Sequence, residues 1–213
     1  MELTEHHRDA LAELINIAFS RTAASLSDLT QNRVELEVPE VALYSIDKLE
    51  AGLRKFVSGE VASVHQIFSG PVAGDGLLLM NHDGAAELVH LLTGEDAPSG
   101  RLRSSAKEVL SEIGNILLNA CMGIFGDLLE VRFTFTVPRL HLEALGNLLD
   151  SLVIGKEGLK HALVAGAMFR VQNSEVTGCL AIVLGVDSFE RLVHGVDEWA
   201  GRATSFPRAK MAE

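Results

Sequence analysis

The chain has 213 residues and a formal net charge of −11, with 47% hydrophobic but only 5% aromatic residues. So acidic a chain is a poor ligand for nucleic acid or an anionic membrane surface, both of which are bound by placing Lys and Arg on phosphates. The apolar share is enough for a core, and that core has to be aliphatic.

No apolar run is expected to reach the length that spans a bilayer. "MELTEHHRDAL" is polar and acidic, unlike a secretory leader. Cys121 and Cys179 lie far apart in apolar surroundings and match no metal or redox spacing, so they read as core residues. A cytoplasmic protein is expected.

The first element is a long helix, Thr4 to Ser27. At about 100° per residue, Asp9, Glu13, Asn16 and Ser20 form one polar stripe. Leu11, Leu14, Ile15, Ala18 and Thr22 line the opposite, core-facing side. Asn16 is a costly choice mid-helix, because its amide competes for backbone hydrogen bonds. Ile17 flanks the stripe. A strand follows, "RVELEVP", which Pro39 can close because proline donates nothing to a ladder. Two strands, Val57 to Phe68 and Val72 to Leu79, join through a Gly-containing turn. A helix, Gly84 to Leu92, ends this stretch. Thr93 to Ser104 carries Gly, Pro, Ser and charge and reads as a linker.

Then the order repeats. "DALAELINIAFSRTAASLSDLTQNRVELEVP" (9–39) aligns without a gap on "EVLSEIGNILLNACMGIFGDLLEVRFTFTVP" (108–138), with nine of 31 positions identical. That ungapped match makes a duplication the natural reading. Glu13 meets Glu112, Asn16 meets Asn115, Ile17 meets Ile116 and Pro39 meets Pro138. The second long helix, Ser105 to Leu129, puts Glu108, Glu112, Asn115 and Asn119 on one face. Gly114 removes a side chain beside that stripe and would let another backbone approach. A strand 132–138, strands Leu163 to Gln172 and Val176 to Leu184, and a helix Ser188 to Trp199 complete the copy. "VQNSEVTG" is a hairpin turn.

The fold expected is α+β: antiparallel strands packed with two long helices and shorter ones, in two homologous halves with pseudo-twofold symmetry. One domain spans 1–213, as repeats of about 1–97 and 98–204, with 205–213 a frayed tail. The eight histidines show no H-x3-H or HExxH spacing and read as solvated or edge residues. "GDG" at 74–76 lacks the continuation of a phosphate loop and reads as a strand feature. A glutamate and an amide with no paired nucleophile can position a water. They cannot cleave a stable bond alone. They suit phosphoryl transfer in which a partner brings the electrophile and the metal.

Asp9-x3-Glu13-x2-Asn16-x22-Pro39 resembles the signature of the CheC/CheX/FliY family of chemotaxis phosphatases. Glu108-x3-Glu112-x2-Asn115-x22-Pro138 repeats it, with Glu where the family has Asp or Ser at the first position. The first copy departs at Ile15, where the family usually has Gly. Two motifs without a further domain are the CheC-like arrangement.

The resemblance implies a hydrolase for the aspartyl phosphate of response-regulator receivers (CheY-like). In that role Asn16 or Asn115 orients the attacking water, and Glu13 or Glu112 pairs with the receiver's lysine. Asp9, Glu108, Ile17, Ile116 and Gly114 would support docking, and Pro39 and Pro138 would be structural. It implies no cofactor on this chain, with Mg²⁺ supplied by the receiver, and a CheD-like deamidase as a second partner. A non-catalytic adaptor for either partner is the alternative reading.

Overall fold

Thr4 opens the first helix, its hydroxyl accepting the His7 N–H at 3.2 Å. Helix α1 (Glu5–Thr30) ends where Gln31 turns left-handed, at φ 53°. Its core side is the expected one: Leu11, Leu14, Ile15, Ala18, Thr22 and Leu26 are buried. The chain then runs β1 (Val34–Leu36), β2 (Glu40–Ser45), α2 (Ile46–Leu53), β3 (Glu60–Ser69), β4 (Gly74–Asn81) and α3 (His82–Thr93). The same order recurs as α4 (Ser104–Leu129), β5 (Thr134–Phe135), β6 (Arg139–Ala144), α5 (Leu145–Val153), β7 (His161–Val171), β8 (Thr177–Leu184) and α6 (Val186–Ser205). This computed structural model describes residues 4–36, 40–94, 104–153, 161–174 and 176–205. Pro39, most of the linker and the tail from residue 206 lie outside them.

The strands form one antiparallel sheet, ordered β1-β7-β8-β4-β3-β5. β2 also pairs with β7, and β6 with β3. Each half therefore places its first two strands on the other half's hairpin. β4 is buried on both faces, with Leu77, Leu78, Leu79 and Met80 fully covered. This explains its unbroken "LLLM" run. The larger core lies between one face and helices α1, α3, α4 and α6; the smaller lies under Leu49 and Leu53 of α2 and Leu145, Leu148 and Leu149 of α5.

The structure corrects several expectations. The strand after the second long helix is shorter than expected, Thr136 to Pro138 forming no strand, while the end of its counterpart, 37–39, lies outside the described residues. Four elements (β2, α2, β6 and α5) carry no sequence expectation. His65 is neither solvated nor at an edge. It lies inside the sheet, its Nε2 2.7 Å from buried Asp75 Oδ1. Asp75 is the centre of the "GDG", which does lie in a strand. Helix α4 is long and apolar enough by length and composition to cross a membrane. Here Leu110, Ile113, Leu117, Leu118, Cys121, Met122 and Phe125 bury its apolar side in the core.

Candidate active site

Glycine at 114 sets where α4 sits. A Cβ there would meet the Val64 side chain at 2.4 to 2.8 Å, so the glycine lets α4 settle close onto β3. This corrects the expectation that Gly114 opens the stripe to a partner: it is buried, and its close neighbour is the protein's own sheet. Ile15, its counterpart in the first copy, is likewise buried in the core and does not crowd the stripe.

The opposite side of α4 faces a groove of about 550 Å³. Glu108, Glu112, Asn115 and Asn119 form its helix wall, with Lys107 and Ser111. Phe135 at the end of β5 and Thr136, Val137 and Pro138, between β5 and β6, form the other wall, and Gln66 of β3 contributes as well. The motif proline thus sits across the groove from the motif glutamate and asparagine. Val137 is 84% exposed, an apolar side chain held out on the lip.

Glu112 is exposed and has no ion-pair partner among the described residues. Asn115 is half-buried and held. Its Oδ1 accepts from Asn119 Nδ2 at 2.8 Å and from Gln66 Nε2 at 3.3 Å. Gln66 Nε2 also donates to the Thr136 carbonyl at 3.0 Å. Ile116 is half-buried beside them.

In the first copy, Asp9, Glu13, Asn16 and Ser20 are exposed on α1, and Ile17 is half-buried. Asn16 makes no hydrogen bond among the described residues. The wall matching Val137–Pro138 falls on residues outside them. α1 packs on β1, β2 and β7, and α4 on β3, β4 and β6. The two stripes therefore lie over opposite ends of the sheet. Among the described residues no group of three or more His, Cys, Asp or Glu could hold a metal ion.

No protein-family model matches the chain. It is 27% identical over 202 residues to "CheY-P phosphatase CheC" of Bacillus subtilis, which covers 89% of this chain and 93% of that protein. The chain is thus similar to proteins of the CheC/CheX/FliY family. Its fold is that of the solved FliY of Thermotoga maritima, with a TM-score of 0.72 at 17% identity over 95% of this chain and 99% of that one. A CheX from Borrelia burgdorferi, solved in a complex with CheY, BeF3 and Mg²⁺, aligns at a TM-score of 0.50 and 18% identity, over 79% and 96%. Gln66 is a buried groove residue that the family motif did not point to. Its sequence signal is a polar residue in the row Ala62, Val64, Gln66, Phe68, where the others are buried apolar side chains.

Proposed function

We propose that this protein hydrolyses the aspartyl phosphate of a CheY-like receiver domain, with α4 carrying the better-built of two sites. The observation that carries this reading is the groove itself. A glutamate with no ion-pair partner among the described residues and an asparagine face an open cleft, and neither Cys nor His is among the residues that line it. The similarity to a CheY-P phosphatase over most of both chains supports the same conclusion.

The receiver's phosphoaspartate enters the groove with the receiver's own Mg²⁺. Glu112 meets the receiver's lysine; with no ion-pair partner to give up among the described residues, it forms that pair without a competing loss. Asn115 places a water in line with phosphorus. Water oxygen bonds to phosphorus as the bond to the aspartyl oxygen breaks, leaving a free carboxylate and inorganic phosphate. The water's protons go to phosphate or solvent. An acyl phosphate is already reactive, so positioning and charge stabilisation suffice. Glu13 and Asn16 offer the same pair on α1. The work belongs where receivers are, in the cytoplasm.

The test is the decay of a panel of phosphorylated receivers with wild type and with Glu13, Asn16, Glu112 and Asn115 all replaced by Ala. Wild type should speed decay of at least one receiver, and the quadruple variant should not. Binding without faster decay would make the protein an adaptor and end the phosphatase reading.

A further inference from the structure

We infer that Gln66 and Asn119 are positioning residues that hold the Asn115 carboxamide with its oxygen inward and its N–H groups toward the groove. The inference rests on the phosphatase reading of Asn115, which it deepens.

The polarity of this network is fixed from one end. The Thr136 backbone carbonyl can only accept, so the group that Gln66 turns to it, at 3.0 Å, is the amide nitrogen. That same nitrogen lies 3.3 Å from Asn115, which must therefore present its oxygen. Asn119 donates to the same oxygen at 2.8 Å. Two donors occupy both lone pairs of Asn115 Oδ1. Its Nδ2 makes no hydrogen bond among the described residues and is left to face the groove. Such a donor can hold a water through one lone pair and leave the other for phosphorus.

Gln66 is only 3% exposed. Its Oε1, and Oδ1 of Asn119, are buried oxygens with no protein donor among the described residues. A buried amide that leaves one acceptor unpaired costs stability, and core packing alone would favour an apolar residue there. Its neighbours in the row are apolar. The amide is explained by what it does to Asn115.

The first copy lacks this clamp by sequence. Ser20 stands in the repeat where Asn119 stands. Gly76 aligns with Leu180, and the residues opposite them on the neighbouring strands are Gln66 and Ala167. The second site has two amides supporting its asparagine; the first has a serine and an alanine at those positions.

Gln66→Met keeps the length of the side chain and removes its hydrogen bonds; Asn119→Ser installs the residue of the first copy. With a receiver in excess, each should lower kcat by about 10-fold while KM stays within about twofold. In an Asn115→Ala background neither should cause further loss. A kcat unchanged by both variants while Asn115→Ala is inactive, or losses that multiply in the double variants, would overturn the clamp. NMR relaxation of the side-chain amides reads it without activity. The Asn115 carboxamide should be rigid in wild type and mobile in either variant, and that of Asn16 mobile throughout. An Asn115 amide as mobile as Asn16 in wild type would sink the inference even if no receiver proves to be a substrate. A wild type that speeds no receiver's decay yet holds Asn115 rigid would leave the clamp standing and remove the phosphatase reading.

Discussion

Asparagine inside a helix costs about 0.5 kcal/mol relative to alanine, so two of them at matching places need a return. On α4 that return is visible as an amide held at the groove, and it leads to a division of labour between neighbours. Asn115→Ala should lower kcat for the receiver by roughly 10² or more, the usual cost of losing one positioned hydrogen-bonding group in a transition state, with KM nearly unchanged. Glu112→Gln keeps the shape and removes the charge that would meet a lysine, so it should act mainly by raising KM. Steady-state kinetics with titrated phosphoreceiver separates the two effects. The buried Cys121 makes a third residue-level case. Burial pushes its thiol well up, a side-chain hydrogen bond with Thr22 opposing only part of the shift. Cys179 is buried as well. Neither should react with an aromatic disulfide reagent in the native protein at pH 8, and both should react in denaturant; fast native labelling of either would refute its burial. The stripes, their asparagines and the inert cysteines were legible from sequence because each depends on neighbours a few residues away. The clamp was not. Gln66 reaches Asn115 from a strand 49 residues earlier in the chain, and no helical periodicity records that distance.

At the scale of elements, α4 is placed by its contact with β3. Gly114→Ala would gain about 1 kcal/mol of helix propensity. It would also drive a methyl into the β-branched Val64, already within 2.8 Å of the added carbon. Overpacking of that kind costs typically 1–3 kcal/mol, so the variant should be the less stable in urea melts. Val64→Ala should restore only part of the loss, since it removes two colliding methyls but keeps the Val64 Cβ, itself 2.5 Å from the added carbon. The loop between β5 and β6 supports a different expectation. Val137 is exposed, so Val137→Asp removes little buried area and should leave the melting temperature unchanged. As an apolar lip of the groove it should still raise KM for the receiver. The elements that sequence reasoning missed share one cause. α2 begins directly at the end of β2, and α5 directly at the end of β6, with no residue between strand and helix at either junction and Gly146 already inside α5. Strand-to-helix switches without turn residues leave no punctuation to read. α3 and α6 were found because longer amphipathic patterns announce them.

The whole molecule raises the question of whether the two repeats are two domains. The duplication invites that view, and the linker near residues 93–104 offers a place to cut. The sheet argues against it. Half of the strand pairing that would complete the N-terminal repeat comes from the C-terminal one, because β1 and β2 have β7 as their partner. The reverse holds for β5 and β6, which lie on β3. β4 and β8 then join the two hairpins at the centre along seven residue pairs from Gly74–Leu184 to Met80–Gly178. A severed repeat would expose β4 or β8 as a bare apolar edge, and its short first strands would have nothing to pair with. Fragments 1–97 and 98–213 should therefore each lack a cooperative unfolding transition when made alone. Mixed or co-expressed, they should recover one transition and bind one to one. If either fragment alone unfolds cooperatively as a monomer with native-like circular dichroism, the repeats are separate domains and the shared sheet is not what holds the fold.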